Sequence, residues 1–242
     1  MFTHRGDART YTHNLKIASL LSFVAGSVNA IGFIAIQRLT TNVTGHFAFF
    51  MDDVLHLKWY AASIFFLYIL FFFLGAFFSN TLIELRDRTK GVNVFILPVA
   101  VEIVLLAAVA AIGTWFHITH PTAIACTLLF AMGLQNALVT KISNAVVRTT
   151  HLTGLFTDLG IEVSQLFFYR ARDQRLKLIS NINLRLRIIV FFFLGGVAGG
   201  LLYTRVGFHA LFLPALLLLI GLFYDNIKFR LLRWTNSEGE RF

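Results

Sequence analysis

Apolar residues fill this chain in long blocks, and polar residues fall mainly between the blocks. Six blocks approach the roughly 20 apolar residues that a membrane-spanning helix needs: Leu15–Ile36, Trp59–Leu82, Asn93–Phe116, Thr122–Thr140, Ile188–Thr204 and Phe208–Asn226. The fifth is the shortest, about 26 Å at 1.5 Å per residue, and Leu184 and Leu186 can extend it. Two further segments, Thr40–Leu57 and Thr149–Tyr169, have shorter apolar runs and carry acids, Asp52 and Asp53 in one and Asp158 and Glu162 in the other. The pattern predicts an all-α, polytopic membrane bundle, one domain with almost no soluble part.

The pattern also occurs twice. Gly26-Ser27-Val28-Asn29-Ala30 is answered by Gly133-Leu134-Gln135-Asn136-Ala137, and Thr41-Asn42-Val43-Thr44-Gly45-His46-Phe47 by Thr150-His151-Leu152-Thr153-Gly154-Leu155-Phe156. Phe71–Gly75 pairs with Phe191–Gly195, and Leu97-Pro98 with Leu213-Pro214, so four anchors keep their order at offsets of 107, 109, 120 and 116. The expected copies are residues 15–116 and 121–226, three spans each. An odd number of spans inserts the second copy upside down. Such inverted repeats are a transporter architecture, with the site near the mid-plane where the copies meet.

Each copy places one semi-apolar segment between its first two spans. If both crossed fully, giving eight spans, 14 basic residues would face one side and 7 the other. With six spans and the N-terminus inside, 18 of the 21 basic residues lie inside, leaving only Arg38, Lys58 and Arg205 outside. The sharper split favours six crossings, both termini cytoplasmic, and two short half-helices dipping in from opposite faces. Interfacial amphipathic helices are the alternative. Threonine suits a helix cap and glycine a close approach, so each Thr-Gly pair is read as a half-helix start whose positive dipole end points inward.

Composition agrees with a membrane location. The chain is 57% hydrophobic and only 14% charged, against about a quarter charged in soluble domains. The net charge of +9 reports topology rather than a nucleic-acid partner. The one long polar stretch, 170–187, reads as a cytoplasmic basic insertion of the second copy. The single Cys126 excludes an intramolecular disulfide. The basic N-terminal tail precedes an apolar run of about 22 residues without a small-x-small cleavage site, which reads as a retained first span rather than a signal peptide.

Candidate chemistry is sparse. Asn29 and Asn136, with Gln135, stand one turn from a small residue, and Thr41, Thr44, Gly45 and His46 face Thr150, Thr153 and Gly154 in the repeat. These residues, with Asp158 and Glu162, are the candidate solute-binding set; helix packing and interhelical hydrogen bonding are the competing role. Glu102 lies within the third span, where an ionisable group is costly, and is a proton-coupling candidate or a neutral structural acid. Gly195 and Gly199 belong to overlapping G-x-x-x-G patterns, for contact within the chain or between copies in a homo-oligomer. His117 and His120 lack a third ligand. No metal or cofactor is expected, nor is a nucleophile elbow, phosphate loop or zinc spacing present.

The run Met132–Ala137, followed by Thr149–Gly154 and Thr157–Gly160, closely resembles the YoaK-like bacterial membrane family, whose members have about six spans and no assigned function. The first copy resembles the family's Gly-x-x-(Asp/Asn)-Ala and Thr-Gly-Asn patterns, with Asn29 at the acid position and His46 closing the triplet. The resemblance implies an inner-membrane protein and no substrate. A transporter or channel for a small polar or anionic solute is the leading expectation. The alternatives are a structural or regulatory membrane protein and a membrane enzyme using Asp158, Glu162 and His151 at the cytoplasmic face; no catalytic triad clusters in the sequence.

Overall fold

The computed structural model describes residues 10–87 and 94–224. Eight of the basic residues behind the expected orientation (Arg5, Arg9, Arg88, Lys90, Lys228, Arg230, Arg233 and Arg241) lie outside them, as do the last two residues of the expected second copy. The described chain is all-α: α1 (Tyr11–Ile36), α2 (Val43–Leu55), α3 (Trp59–Asp87), α4 (Ile96–Thr119), α5 (Pro121–Ser143), α6 (Leu152–Phe168) and α7 (Arg172–Val206). A short 3-10 turn, Gly207–Leu211, leads into a final helical segment, 212–224.

Among the described residues five helical runs are long and apolar enough to cross a membrane, and α2 and α6 are not among them. The last run, Arg172–Tyr224, is 53 residues long, about 80 Å if straight, and it turns at the 3-10 element. Gly207 makes that turn with φ 59, a conformation that strains any residue with a Cβ. Segment 212–224 then returns alongside α7, so Leu217 and Tyr224 line the same groove as Arg187 and Phe191. The polar stretch 170–187 is helical from Arg172 onward and forms the first part of the 35-residue α7. Its apolar residues recur on one face, where Leu178, Leu184 and Ile188 are buried.

Two parallel helix pairs organise the bundle. In the first, Tyr11 of α1 reaches Ser180 of α7, Ser19 meets Arg187, and Ser27 donates to the Gly195 carbonyl at 2.9 Å. In the second, Tyr68 of α3 packs in one cluster with Ala125 and Cys126 of α5, and Glu84 pairs with Lys141 at 2.8 Å. Between the pairs, Gln135 of α5 bonds the Leu21 carbonyl of α1 while Leu128 lies against Gly32. Rising numbers on α1 therefore meet falling numbers on α5, and these helices run antiparallel. We call the end of the bundle where α1 begins proximal and the other end distal.

Glycine permits both close crossings. A Cβ on Gly26 would stand 2.8 Å from the Phe192 carbonyl carbon, and one on Gly195 2.7 Å from that of Phe23. In the other pair a Cβ on Gly133 would stand 2.9 Å from the Phe72 carbonyl carbon, and one on Gly75 2.8 Å from that of Phe130. The carbonyl oxygens would be closer still. Phe23 and Gly26 lie 107 positions before Phe130 and Gly133; Phe72 and Gly75 lie 120 before Phe192 and Gly195. One contact is thus made twice. Gly195 and Gly199, the latter packed on Ser27, are buried against α1. Their small-residue face is used within the chain, which removes it as a homo-oligomer surface.

Candidate functional site

The connections after α1 and α5 are built alike. Each helix stops at a left-handed residue, Gln37 with φ 54 and Asn144 with φ 53. The chain then folds back onto the asparagine near the helix end. Asn29 Oδ1 accepts from the Thr40 and Thr41 amides at 3.0 and 3.2 Å and from Thr41 Oγ1 at 3.0 Å. Asn136 Oδ1 accepts from Thr150 Oγ1, also at 3.0 Å. Gln135 Nε2 donates to the Leu21 carbonyl at 2.9 Å and to Thr149 Oγ1 at 3.4 Å.

These bonds set the depth of the two connections. One lies at the level of Asn29 on α1 and the other near Leu21, eight residues or about 12 Å of helix apart, on either side of the Phe23–Gly26 crossing. Thr40 and Thr149 are fully buried there. Thr44 and Thr153 instead sit at exposed positions on the first turns of α2 and α6. No packed interface joins α2 to α6; each packs on the helix that follows it. The expected threonine caps are also replaced. Asn42 caps α2 by accepting from Gly45 N at 3.0 Å, and His151 precedes α6 without a side-chain cap bond.

At the proximal connection the structure encloses a polar cavity of about 300 Å³. Arg148, His151, Gly154, Asp158, Asn181 and Arg185 are among its lining residues. Gly154 matters sterically, since a Cβ there would collide with the His151 ring. Arg185 is held by two acids: Nη1 lies 3.0 Å from Asp158, and Nε and Nη2 grip Glu162 at 2.7 and 2.9 Å. Glu162 is buried, and the bidentate geometry offsets the cost of removing its charge from water. Two acids outweigh that one cation, and Arg148, exposed and without a carboxylate partner among the described residues, brings the four groups to neutrality as the unpaired cation of the lining.

The positions that the repeated pattern pairs with Asp158 and Arg185 carry aromatic side chains instead. Phe49 stands where Asp158 does and Phe65 where Arg185 does, and their rings stack at 5.1 Å. His46 packs on Phe65 and on Tyr68 at 6.0 and 5.2 Å, its Nε2 donating to the Leu39 carbonyl at 2.7 Å. The Arg38 guanidinium covers the Phe65 ring at 5.3 Å.

Between the two ends several buried polar atoms have no hydrogen-bond partner among the described residues. They include Ser22 Oγ, Thr40 Oγ1, Gln135 Oε1 and both carboxyl oxygens of Glu102, which lies six residues into α4. Each such group costs about 1–3 kcal/mol if left unsatisfied. The sequence marks Glu102 by its depth in a span, and Gln135, Gly154, Asp158 and Glu162 by the repeated pattern. It presents Arg148, Asn181 and Arg185 only as basic or polar segment residues, because nothing local shows that α7 brings Asn181 and Arg185 against α6.

Long apolar helices, two short helices packed on their flanks and an interior carrying polar groups unpaired among the described residues define a polytopic helical membrane protein. A family model described as a protein of unknown function, DUF1275, matches residues 17–224, and the chain belongs to that family. Neither the curated proteins nor the solved structures yield a match.

Proposed function

We propose that the protein is a transporter or channel of the bacterial inner membrane, of the YoaK-like type, for a small polar or anionic solute. In this reading six segments cross the bilayer, both termini are cytoplasmic, and the copies form an inverted repeat. The antiparallel course of α1 and α5 supports the inversion, since eight crossings would make those equivalent helices parallel. The doubled glycine crossings and the doubled Thr–Asn bond support it as well. The lengths of α2 and α6, 13 and 17 residues, suit half-helices.

One observation carries the functional reading: a polar cavity opens at the proximal half-helix, while the paired positions at the distal one carry the Phe49–Phe65 stack, which we read as its closed counterpart. A pseudo-symmetric protein open at one end and sealed at the other has the geometry of one state of an alternating-access cycle. Arg148 is the anion-attracting group, and Asn181 and His151 offer hydrogen bonds. The test is uptake into proteoliposomes, screened over small anionic and zwitterionic solutes. Arg148→Gln should lower uptake at least tenfold with folding unchanged, and equal uptake by wild type, variant and empty liposomes overturns the reading.

A structural role is the second reading, favoured by the engagement of Asn29 and Asn136 in holding their own connections. Labelling of cysteines placed at Lys58 and Arg172 should report opposite membrane faces. Labels on one face would remove the six-crossing topology whichever role is right.

A further inference from the structure

A second depression, about 570 Å³, opens on the flank of the proximal end between α1, α7 and segment 212–224. It differs from the polar cavity in every respect that decides a ligand. Its walls are apolar, formed by residues such as Phe23, Phe191 and Ile220, and among the described residues no carboxylate lines it. Its polar groups gather at one level. Lys16, Ser19 and Arg187 line it there, and Arg187 Nε donates to Ser19 Oγ at 2.8 Å. The guanidinium also lies 5.7 Å from the Phe191 ring centroid. Those two contacts hold the fork in place while leaving both terminal nitrogens for an oxyanion. Phe23 lies seven residues beyond Lys16 on α1, so the apolar wall runs about 10 Å from the cations toward the middle of the bundle.

We propose that this groove binds one anionic phospholipid, its phosphate between Lys16 and Arg187 and an acyl chain along the Phe23–Phe191 wall. Charge complementarity selects the occupant: two cations, with no acid beside them among the described residues, sit at the mouth of a trough too apolar for a soluble anion. A bilayer presents that combination of phosphate and hydrocarbon to the flank of any spanning helix. Basic pockets between membrane helices hold anionic headgroups by the same chemistry. This site is independent of the transport reading, since Lys16 and Arg187 line no part of the polar cavity.

Native mass spectrometry and thermal shift of the detergent-purified full chain, with added phosphatidylglycerol, phosphatidylcholine or glycerophosphate, test it. Phosphatidylglycerol should give a one-lipid adduct and the largest stabilisation, weakening as salt is raised. Lys16→Gln, at an exposed position, should reduce its affinity about fivefold, and Lys16→Gln/Arg187→Gln about 25-fold. Equal binding of phosphatidylcholine, or phosphatidylglycerol binding unchanged in Lys16→Gln and in the double variant, overturns the proposal. Stabilisation by glycerophosphate alone would assign a soluble anion instead. A dimer disrupted by Ile220→Arg, with no lipid adduct, would assign the groove to a second copy.

Discussion

Replacing Gly133 by alanine tests one of the four close glycine crossings. The added Cβ would stand 2.9 Å from the Phe72 carbonyl carbon and nearer to its oxygen, whereas ordinary contact begins at 3.4 Å. Since the obstacle is backbone, no rotamer can swing aside, and α3 and α5 must part by roughly 1 Å. A gap of about 0.5–1 Å forfeits a quarter to a half of the dispersion well at each lining atom pair. Overpacking at close-packed sites costs about 1–3 kcal/mol, and a backbone clash belongs at the upper end. Gly160 is the internal control: a Cβ there meets nothing within 4 Å, so Gly160→Ala should gain up to about 1 kcal/mol of helix propensity. Gly133 also lies in a helix interior, so that gain cancels in the comparison, and the two variants should differ by about 3 kcal/mol in reversible unfolding by sodium dodecyl sulfate in mixed micelles. Gly26→Ala should resemble Gly133→Ala, because it makes the equivalent contact in the other pair. Gly133→Ala unfolding within 1 kcal/mol of Gly160→Ala would refute the argument.

Asn29→Ala removes the acceptor of three bonds and should cost about 2–3 kcal/mol, against about 1 for Asn136→Ala, which loses one; thermal unfolding in detergent gives the order, and the reverse order would contradict the bonding described. Arg185→Gln leaves Glu162 buried without its bidentate partner and should cost about 3 kcal/mol, most of it recovered in Arg185→Met/Glu162→Leu. A double variant no more stable than the single would show that the pair is not the source of the loss. If Glu102 couples transport to protons, Glu102→Gln should abolish pH-driven uptake in proteoliposomes while the protein elutes and melts as wild type; unchanged uptake would take Glu102 out of the mechanism.

The sequence by itself determined the helical membrane class, because blocks of some 20 apolar residues have few other places to fold. It also located α2 and α6 to within a few residues, through the Thr-Gly runs and the acids that interrupt their apolar character. Gly26, Gly75, Gly133 and Gly195, all within the repeated runs, occupy the four close helix crossings. Partners were another matter. That Gly26 meets Phe192 rather than another copy of the chain depends on which helices lie side by side, and spacing along one helix carries no such information. The helical start of α7 was hidden by its charges, since mean polarity conceals a buried stripe of Leu178, Leu184 and Ile188. Both asparagines were legible as paired positions, but only the folded connection showed them holding backbone and threonine hydroxyls. The cavity was the least legible feature: Arg148, Asp158 and Asn181 come from a loop and two helices, and only the tertiary structure brought them together. Its asymmetry with Phe49 and Phe65 is likewise a tertiary fact. At the positions paired by the repeated pattern a salt bridge joins α6 to α7 at one end and two stacked rings join α2 to α3 at the other.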